Sequence, residues 1–444
     1  MKKILILGAG RSSSSLIEYL LKVAVQNDYE IIVADTSLEL ARQKTKRHPR
    51  SRAILLDTID EAKTRAEIQN ADLVISMLPP FLHPPIATQC VKLKKHLVTA
   101  SYVSWEMKNL NEDAKKAGII LMNEAGLDPG LDHASAMKII DRIKSDGGKL
   151  TVFKSYTGGL IAPESDDNPW GYKFTWNPRN VILAGQGTAK YIENGKYAFI
   201  PYQKLFTRID KIHVDGLGDF EGYANRDSIG YRSIYEIEDV PTLLRGTLRK
   251  AGYCEAWNVF VQLGMTDDSY IITESEKLSI TEVMESFLPQ GEGNTKTRLS
   301  EYLNIALDGE IMSKLEWLGL FDDIKLRIKN ASPALLLQTL LESKWNLKDG
   351  DIDMIVMQHQ FEYELKGNNH KLLSSLVVKG DDAVHTAMAK TVGLPVGIIT
   401  KLILEDKIKL KGVCIPTVKE IYQPLLDELE ILGIRFKEKK GLNG

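Results

Sequence analysis

Cysteines are scarce in this sequence, and their positions argue against a disulfide framework. The 444 residues contain three, Cys90, Cys254 and Cys414. They are odd in number and far apart, so they form neither a disulfide pattern nor the short spacings of a metal site. We therefore expect a reducing compartment, predict a cytoplasmic location, and expect no metal.

Long apolar runs and an excess of one charge are also lacking. We find no apolar run of about 18 residues, so no membrane span is expected. The formal net charge is −2, which argues against nucleic acid as the main partner. The start, MKKILILGAG, lacks the long apolar region and cleavage site of a signal peptide and favours a first strand.

The first 125 residues alternate short apolar segments with helical stretches. The predicted strands are KKILILG, EIIVAD, AILLD, DLVISMLP, HLVTASY and GIILMNEAG. Apolar runs of this length are typical of parallel strands covered by helices on both faces. The sequence therefore predicts an α/β fold that begins with a Rossmann-type, doubly wound parallel sheet. A chain of 444 residues is also long enough for two or three domains.

After residue 127 the pattern changes. KLTVFKSYTGG and DKIHVDG alternate apolar and polar residues, as antiparallel strands with one solvent-facing side do. DIDMIVMQHQFEYEL predicts another strand, and residues 301–345 are mostly helical in periodicity. A helix rich in small residues is expected from about residue 383. An amphipathic helix over 418–432 and a short strand, IRFKE, are expected to end the chain.

The first predicted strand is followed by a glycine-rich turn of the form G-x-G-x-x-S. The first glycine permits the tight turn, and the second lets a pyrophosphate approach the backbone at the helix N-terminus. Serine replaces the third small residue and still allows close packing. The turn predicts a dinucleotide site formed by Gly8, Gly10, Arg11, Ser12 and Ser13.

An aspartate, Asp35, ends the second predicted strand. A carboxylate at this position accepts hydrogen bonds from the adenosine ribose and repels a 2′-phosphate, so NAD is predicted, with NADP possible. The alternative is a solvent-exposed aspartate at a strand end. The topology also places Thr36 beside it, Asp57 near the adenine, and three residues after the fourth strand near the nicotinamide half: Met77, Leu78 and Pro79.

The segment NEAGLDPGLDH follows the sixth strand, at the edge of the sheet where such folds bind ligands. Asp128 before Pro129 suits the N-cap and first positions of a helix, so Asp128 is predicted to cap it. The alternative is that Asp128 faces the substrate. The two interpretations are compatible, because a cap at the mouth of a nucleotide crevice also faces its ligand.

Several longer segments resemble one family. TASYVSWEM, MNEAGLDPGLDHASAMKIID, SYTGGLIAPESDDNPWGYKFTW, LLRGTLRKAGY and TAMAKTVGLP are similar to saccharopine reductases, the glutamate-forming saccharopine dehydrogenases of lysine metabolism. The resemblance covers almost the whole chain. It implies a dinucleotide domain (1–127 plus 385–444), an α/β substrate domain (128–265 plus 350–384) and a helical insertion (266–349). It also implies a homodimer.

The resemblance further implies the activity and the site residues. The family interconverts saccharopine with glutamate and α-aminoadipate δ-semialdehyde, using NAD(P). The implied substrate contacts are Ser101, Tyr102, Asp128, Arg226, Arg245, Gly246 and Thr247. Further cofactor contacts are expected at Ser101, Leu127, Asp128, Pro129 and Trp176.

The sequence departs from the family pattern at two positions. Thr157 stands where many members carry cysteine, so an acid–base role of that cysteine is not available to this chain. Fungal members that use NADP usually lack an acid at the position of Asp35, which puts their cofactor preference in doubt for this chain.

The chemistry of saccharopine, a secondary amine with three carboxylates, accounts for these residue types. Arginine pairs bidentately with carboxylates, which favours Arg226 and Arg245 as anion contacts over the alternative of exposed surface arginines. Asp128 and Tyr102 are the candidates for proton transfer at the amine nitrogen. His133 and Asp132, one turn later, are expected to be structural.

Two other functions remain open on the sequence. One is another imine-reducing dehydrogenase, such as a carboxynorspermidine dehydrogenase, whose substrate has fewer carboxylates and needs fewer arginines. The other is a dinucleotide sensor without turnover, which would not require Asp128, Arg226 and Arg245 together.

Overall fold

The computed structural model describes residues 1–184 and 186–442. The chain divides into two compact units: the first comprises 1–150, 363–369 and 376–439, and the second 151–362, 370–375 and the residues from 440 onward. Each unit has an apolar core of its own. The segment 266–349 lies within the second unit, and its separation as a third domain stays a prediction.

The strands in the described residues are β1 (Lys2–Leu7), β2 (Tyr29–Asp35), β3 (Ser51–Leu55), β4 (Leu73–Ser76), β5 (His96–Thr99), β6 (Ile120–Met122), β7 (Lys149–Ile161), β8 (Ala189–Glu193), β9 (Lys196–Ile200), β10 (Ile209–Val214), β11 (Gly218–Ala224), β12 (Thr242–Lys250), β13 (Asp353–Leu365), β14 (Asn368–Lys379), β15 (Gly412–Cys414) and β16 (Lys437–Leu442).

The helices in the same residues are α1 (Ser14–Ala24), α2 (Leu38–Thr45), α3 (Glu61–Asn70), α4 (His83–Leu93), α5 (Trp105–Asn109), α6 (Asn111–Ala117), α7 (Leu131–Ser145), α8 (Pro178–Ile182), α9 (Tyr202–Leu205), α10 (Tyr231–Ile234), α11 (Tyr253–Leu263), α12 (Ile280–Ser286), α13 (Thr295–Leu303), α14 (Glu310–Leu318), α15 (Pro333–Trp345), α16 (Ala387–Leu404) and α17 (Lys419–Ile431).

The first sheet has seven strands in the order β15-β6-β5-β4-β1-β2-β3. All of its neighbouring pairs are parallel. The order reverses at β1, between β4 and β2, and this reversal is the switch point at which doubly wound sheets bind ligands. The predicted Rossmann-type sheet of six strands is therefore confirmed, and β15 from the C-terminal part of the chain adds a seventh.

Helix α16 corrects the expectation that the sequence has no apolar run of about 18 residues. By length and composition it is the one helix in the described residues that could cross a membrane, with a mean hydropathy of 1.5. However, 72 % of it is buried inside the protein. A Cβ at Gly393 would lie 2.7 Å from the Leu16 amide nitrogen, and one at Gly397 would lie 2.6 Å from the Tyr19 ring. Such close packing on α1 is that of a core helix, so its composition is weak evidence for a membrane span.

The second sheet is mixed, with the order β10-β11-β12-β7-β13-β14-β16; β8 also pairs with β12, and β9 pairs with β8. The pairs β10–β11 and β11–β12 are antiparallel, whereas β12 and β7 run parallel. The prediction of an antiparallel sheet is therefore wrong for that central pair. The connection from β7 to β12 passes through β8 to β11, so it is long enough for a parallel return.

The core of the second unit is built from large aromatic side chains. The Trp170 ring stacks on Phe260 with centroids 5.8 Å apart, and it meets Trp345 edge-on at 5.3 Å. The turn-rich segment that carries Trp170 also carries Lys173, whose buried ammonium lies 2.8 Å from both Asp167 and Asp351. The motif around Trp170 therefore contributes packing and a buried ion pair.

Candidate active site

The glycine-rich turn after β1 has the geometry that the sequence predicts. Gly8 has φ +100°, and a Cβ there would lie 3.0 Å from the carbonyl oxygen of Met77. At Gly10 a Cβ would meet no atom of the described residues within 4 Å. The turn therefore requires glycine at position 8, where a side chain does not fit. Gly10 instead leaves open space for a ligand to approach the backbone.

The end of the turn differs slightly from the expectation of one continuous helix. Arg11–Ser13 form a single 3-10 turn, and α1 begins at Ser14. The hydroxyl of Ser13 donates to the carbonyl oxygen of Gly10 at 2.8 Å and is buried, while Arg11 is exposed. The amides that open α1 and the exposed cation of Arg11 suit a pyrophosphate.

Asp35 lies at the end of β2 and faces this turn. Its carboxylate accepts hydrogen bonds from the backbone of Ala9, at 2.7 Å, and of Ser37, at 2.8 Å. Thr36 next to it is exposed. The carboxylate is therefore fixed beside the glycine-rich turn, where its charge opposes a second phosphate on the ribose.

Other predicted cofactor contacts follow the neighbouring strands of the first sheet. Asp57 is exposed two residues after β3, and its carboxylate accepts from the Ile59 amide at 3.0 Å. Met77 follows β4, lies against Gly8, and its amide donates to the carbonyl oxygen of Leu7 at 2.9 Å. Leu78 is half-buried and Pro79 exposed. All belong to the first unit, and their contact with a dinucleotide stays a prediction.

Ser101 is held by a histidine that the sequence analysis did not single out. His83 is 3 % exposed; its Nδ1 lies 2.8 Å from the Ser76 hydroxyl and its Nε2 lies 2.7 Å from the Ser101 hydroxyl. The Thr99 hydroxyl lies 3.2 Å from the same Nε2. Burial lowers the pKa of His83 to about 4, so the imidazole is neutral and can both donate and accept.

Tyr102 and Asp128 lie together, as the two candidates for proton transfer should. The Tyr102 hydroxyl donates to Asp128 Oδ1 at 3.2 Å, and both side chains are half-buried. This hydrogen bond orients the Asp128 carboxylate towards the Tyr102 hydroxyl. The pair lies beyond the carboxyl ends of β5 and β6, in the first unit.

The predicted helix cap at Asp128 is wrong. Helix α7 begins at Leu131, its N-cap residue is Gly130, and no side chain caps it. Pro129 lies two residues before the helix, and the Asp128–Pro129 peptide bond is cis. The Gly130 amide instead donates to Asp132 Oδ1 at 2.6 Å. Asp128 is therefore not committed to the helix start.

Two glycines explain why the chain can form this loop. Gly130 has φ +144°, and a Cβ there would lie 2.3 Å from the carbonyl oxygen of Gly126. A Cβ at Gly126 would lie 2.9 Å from the Cβ of Ala100, on the loop after β5. Leu127, between the two glycines in the sequence, is 5 % exposed. The glycines thus let the loop of Asp128 approach the loop of Tyr102.

The two predicted anion-binding arginines differ in exposure. Arg226 is exposed, with φ +46°, two residues after β11. Arg245 is 5 % exposed on β12, and its guanidinium lies 4.1 Å above the Tyr231 ring. The alternative of a surface arginine is therefore wrong for Arg245. The backbone joins them, because the Asn225 amide donates to the carbonyl oxygen of Arg245 at 2.8 Å.

Gly246 and Thr247 follow Arg245 on β12. A Cβ at Gly246 would lie 2.6 Å from the Tyr156 ring, so glycine is required for packing there. Thr247 is half-buried and pairs across the sheet with Thr157, the residue that replaces the family's cysteine. The Thr157 hydroxyl is buried and has no hydrogen-bond partner within the described part of the chain.

Trp176 also belongs to the second unit. Its half-buried ring packs against the aromatic core. The structure therefore groups the predicted residues by unit. Ser101, Tyr102, Asp128 and the glycine-rich turn lie in the first, and Trp176, Arg226, Arg245, Gly246 and Thr247 lie in the second.

Two family models match the chain, and together they cover most of it. Residues 4–122 match the saccharopine dehydrogenase NADP binding domain, and residues 126–434 match the saccharopine dehydrogenase C-terminal domain. The boundary between the two matches falls at the NEAG segment, between β6 and the loop of Asp128.

Characterised relatives align along the full length. The chain is 35 % identical to saccharopine dehydrogenase [NADP(+), L-glutamate-forming] of Pyricularia oryzae and 36 % identical to that of Saccharomyces cerevisiae, over 99 % of each chain. It is 37 % identical to mitochondrial alpha-aminoadipic semialdehyde synthase of Mus musculus, with 98 % of this chain aligned to 47 % of the mouse protein.

Solved structures agree with the sequence comparison. Apo saccharopine dehydrogenase (L-Glu forming) from Saccharomyces cerevisiae superposes with a TM-score of 0.89 at 36 % identity, over 99 % of this chain and 100 % of the yeast chain. Homospermidine synthase from Legionella pneumophila, with NAD, has a TM-score of 0.56 at 9 % identity, over 99 % and 91 % of the two chains. The latter likeness concerns the fold alone. By its sequence and its fold, this chain belongs to the saccharopine dehydrogenase family.

Proposed function

We propose that this protein is an NAD(P)-dependent oxidoreductase that interconverts saccharopine with L-glutamate and α-aminoadipate δ-semialdehyde, in lysine metabolism. The observation that carries the proposal is the Tyr102–Asp128 hydrogen bond at the carboxyl edge of the first sheet. It pairs a proton donor with a carboxylate in the first unit, which also contains residues 4–122, the match to the NADP binding domain. The names of the full-length relatives give the same reaction.

The proposed cofactor fits the residues of the first unit. The open space at Gly10, the amides at the start of α1 and the exposed Arg11 suit a pyrophosphate. When bound, the nicotinamide supplies or accepts the hydride. The protein orients the reacting carbon and controls the protons.

We assign Asp128 the proton transfers at the secondary amine. Saccharopine must lose the amine proton before its carbon can be oxidised, and the resulting imine must then be hydrolysed. The Asp128 carboxylate accepts that proton, while Tyr102 keeps the carboxylate oriented through the 3.2 Å hydrogen bond. Ser101, held by His83, contributes a fixed hydroxyl for the substrate or the cofactor.

We assign Arg226 and Arg245 to carboxylates of the substrate, with Gly246 and Thr247 beside them. The Arg245 guanidinium is buried over the Tyr231 ring, and the planar fork of a guanidinium matches the two oxygens of a carboxylate. Trp176 is proposed as a contact to the cofactor. A homodimer and a cytoplasmic location are further proposals, the first from the resemblance and the second from the three buried free cysteines.

The choice between the two dinucleotides rests on opposed observations. The relatives are named for NADP(+), and the matching domain model is an NADP binding domain, so the comparisons do not support NAD as the main cofactor. Asp35, in contrast, places a negative charge beside the glycine-rich turn. We propose that the protein accepts NADP(H), and that Asp35 shifts its preference towards NAD(H) relative to those relatives.

Absorbance of the reduced nicotinamide tests the proposed reaction. Saccharopine plus NADP⁺ or NAD⁺ should produce reduced cofactor together with equimolar glutamate. Carboxynorspermidine under the same conditions should give no turnover. Absence of turnover with saccharopine and both cofactors would refute the proposal, and dinucleotide binding without turnover would favour a sensor.

A further inference from the structure

A buried polar network links the loop of Tyr102 to the loop of Asp128. It begins at Glu124, which follows β6, is 4 % exposed and has φ +54°. The left-handed backbone is uncommon for a residue with a side chain, and it usually persists only where the surroundings require it. Here the Glu124 amide donates to the carbonyl oxygen of Ser101 at 3.0 Å. The backbone of Glu124 is therefore attached to the loop after β5.

The carboxylate of Glu124 makes two further contacts. Its Oε1 accepts from the Val103 amide at 3.0 Å, and its Oε2 lies 2.7 Å from Nε2 of His133. His133 is fully buried on the first turn of α7. Since Val103 directly follows Tyr102, the Glu124–His133 pair fixes the backbone next to the proposed proton donor.

The other ring nitrogen of His133 faces the loop of Asp128. Nδ1 lies 3.5 Å from Oδ2 of Asp132, whose Oδ1 accepts from the Gly130 amide at 2.6 Å. Gly130 is two residues after Asp128. The network therefore extends from the residue after Tyr102, through Glu124, His133 and Asp132, to the loop of Asp128.

We propose that His133 is a positioning residue for the reaction: it sets the distance between Tyr102 and Asp128 by joining their two loops through Glu124 and Asp132. The inference rests on the proposed function, because it concerns the same pair. Buried polar groups that satisfy one another make a site rigid. A shift of about 1 Å at reacting groups can cost about 10²-fold in rate, so a loosened network should slow the chemical step.

The substitution His133→Leu removes both ring contacts. We expect kcat with saccharopine to fall about 10²-fold. The KM for saccharopine and the Kd of the dinucleotide should change little, because neither the arginines nor the glycine-rich turn belongs to the network. A purely structural role would lower the yield and the melting temperature and leave the kcat of the folded fraction unchanged.

Two amide variants separate the contacts and remain informative if His133→Leu does not fold. Glutamine places an amide near the position of Nε2 and can keep the bond to Glu124, whereas asparagine reaches only the position of Nδ1. We expect His133→Gln to recover most of kcat and His133→Asn to resemble His133→Leu. Equal kcat in His133→Gln and His133→Asn would overturn the role of the Glu124 contact.

The control variant loosens the other end of the same helix. The Tyr422 hydroxyl, on α17, donates to Asp141 Oδ2 on α7 at 2.6 Å, so Tyr422→Phe removes a hydrogen bond of α7 outside the network. It should lower the melting temperature and leave kcat unchanged. A wild-type kcat in His133→Leu, or an equal loss of kcat in Tyr422→Phe, would overturn the proposal.

Hydrogen exchange at the Val103 amide tests the network without turnover. Exchange should become faster in His133→Leu and remain slow in Tyr422→Phe, because only the former releases Glu124. Unchanged protection in His133→Leu would overturn the network. Failure of the wild-type protein to oxidise saccharopine would instead refute the proposed function, and the exchange result would still decide whether His133 joins the loops.

Discussion

The two units hold their chemically important side chains in different ways. In the first, neutral or carboxylate groups are linked by hydrogen bonds, as in Ser76–His83–Ser101 and Tyr102–Asp128. In the second, arginines lie on aromatic rings. Arg245 is 4.1 Å from the Tyr231 ring, and Arg249, 3 % exposed, is 5.1 Å from the Tyr172 ring.

The contacts of the first unit fix the directions of its polar groups, whereas those of the second unit stabilise positive charge. A hydrogen-bonded chain fixes directions, which proton transfer requires. An aromatic face stabilises a cation without neutralising it. Arg249 makes no ion pair within residues 1–184 and 186–442, and it stays charged because a guanidinium does not lose its proton in a protein. This difference is consistent with the proposal that the first unit transfers protons and the second binds carboxylates.

The substitution Asp128→Asn is the sharpest test of the hydrogen-bonded groups in the first unit. The amide keeps the size of the side chain but cannot accept a proton, so kcat should fall by about 10²–10⁴-fold. Since Gly130 and not Asp128 precedes α7, neither Asp128→Asn nor Asp128→Ala should lose a helix cap. Steady-state kinetics and thermal melting measure the two effects. Normal turnover of Asp128→Asn would assign the protons to another group.

The substitutions Arg226→Ala and Arg245→Ala test the role of the arginines in the second unit. Loss of a desolvated charge partner should weaken saccharopine binding by roughly 2–5 kcal/mol, with dinucleotide binding unchanged. Arg245→Ala should also lower the melting temperature, because its guanidinium is buried on Tyr231, whereas exposed Arg226 should not.

Calorimetry with saccharopine and with the dinucleotide separates these effects. The exposed Arg208, in the same unit, provides the control, and Arg208→Ala should bind as the wild type does. Wild-type affinity in Arg226→Ala or Arg245→Ala would remove that residue from the proposed substrate contacts.

The hydrogen-bonded series Ser76–His83–Ser101 predicts that the stability of the protein depends on pH. Burial lowers the pKa of folded His83 to about 4, below the 6.5 of the unfolded chain. As the pH falls from about 6.5 to 4, the unfolded state binds a proton that the folded state does not, so the free energy of unfolding decreases. A shift of this size corresponds to about 3 kcal/mol.

Denaturant unfolding between pH 7 and pH 4 measures this loss. His83→Asn, which does not titrate, should show a shallower decrease. His96, whose pKa burial also lowers to about 4, contributes in the same direction, so His96→Asn serves as a comparison. If the free energy of unfolding of His83→Asn depended on pH as that of the wild type does, the titration of His83 would not be the cause of the loss of stability.

Much of the first unit was predictable because buried parallel strands leave a direct trace in the sequence. Apolar runs such as KKILIL and YEIIVAD mark strands that helices cover on both faces, and a glycine after β1 marks the turn. The pairing of Tyr102 with Asp128 followed from their places after strands of one sheet edge, together with the family resemblance.

The errors came from contacts between distant segments. His83 reads as one residue of an ordinary helix, and only the folded sheet brings Ser76, Thr99 and Ser101 around its ring. The cap at Asp128 was plausible from local preference, but the glycine packing and the Asp132 side chain determine how the loop enters α7. Local preference is weak where tertiary contacts compete with it.

The smallest expected effect concerns Asp35, a carboxylate of the first unit that is fixed beside the glycine-rich turn. Its carboxylate is held by the Ala9 and Ser37 amides, so its charge cannot turn away from a ribose at the glycine-rich turn. Asp35→Ser removes the charge and keeps an acceptor for those amides. We expect the ratio of kcat/KM for NADP⁺ over NAD⁺ to rise roughly tenfold, which corresponds to about 1.4 kcal/mol.

Asp57→Ser, just beyond the end of the next strand, is the control and should leave the ratio near that of the wild type. An unchanged ratio in Asp35→Ser would mean that Asp35 serves the turn alone, and that this chain selects its dinucleotide as the NADP(+)-named relatives do.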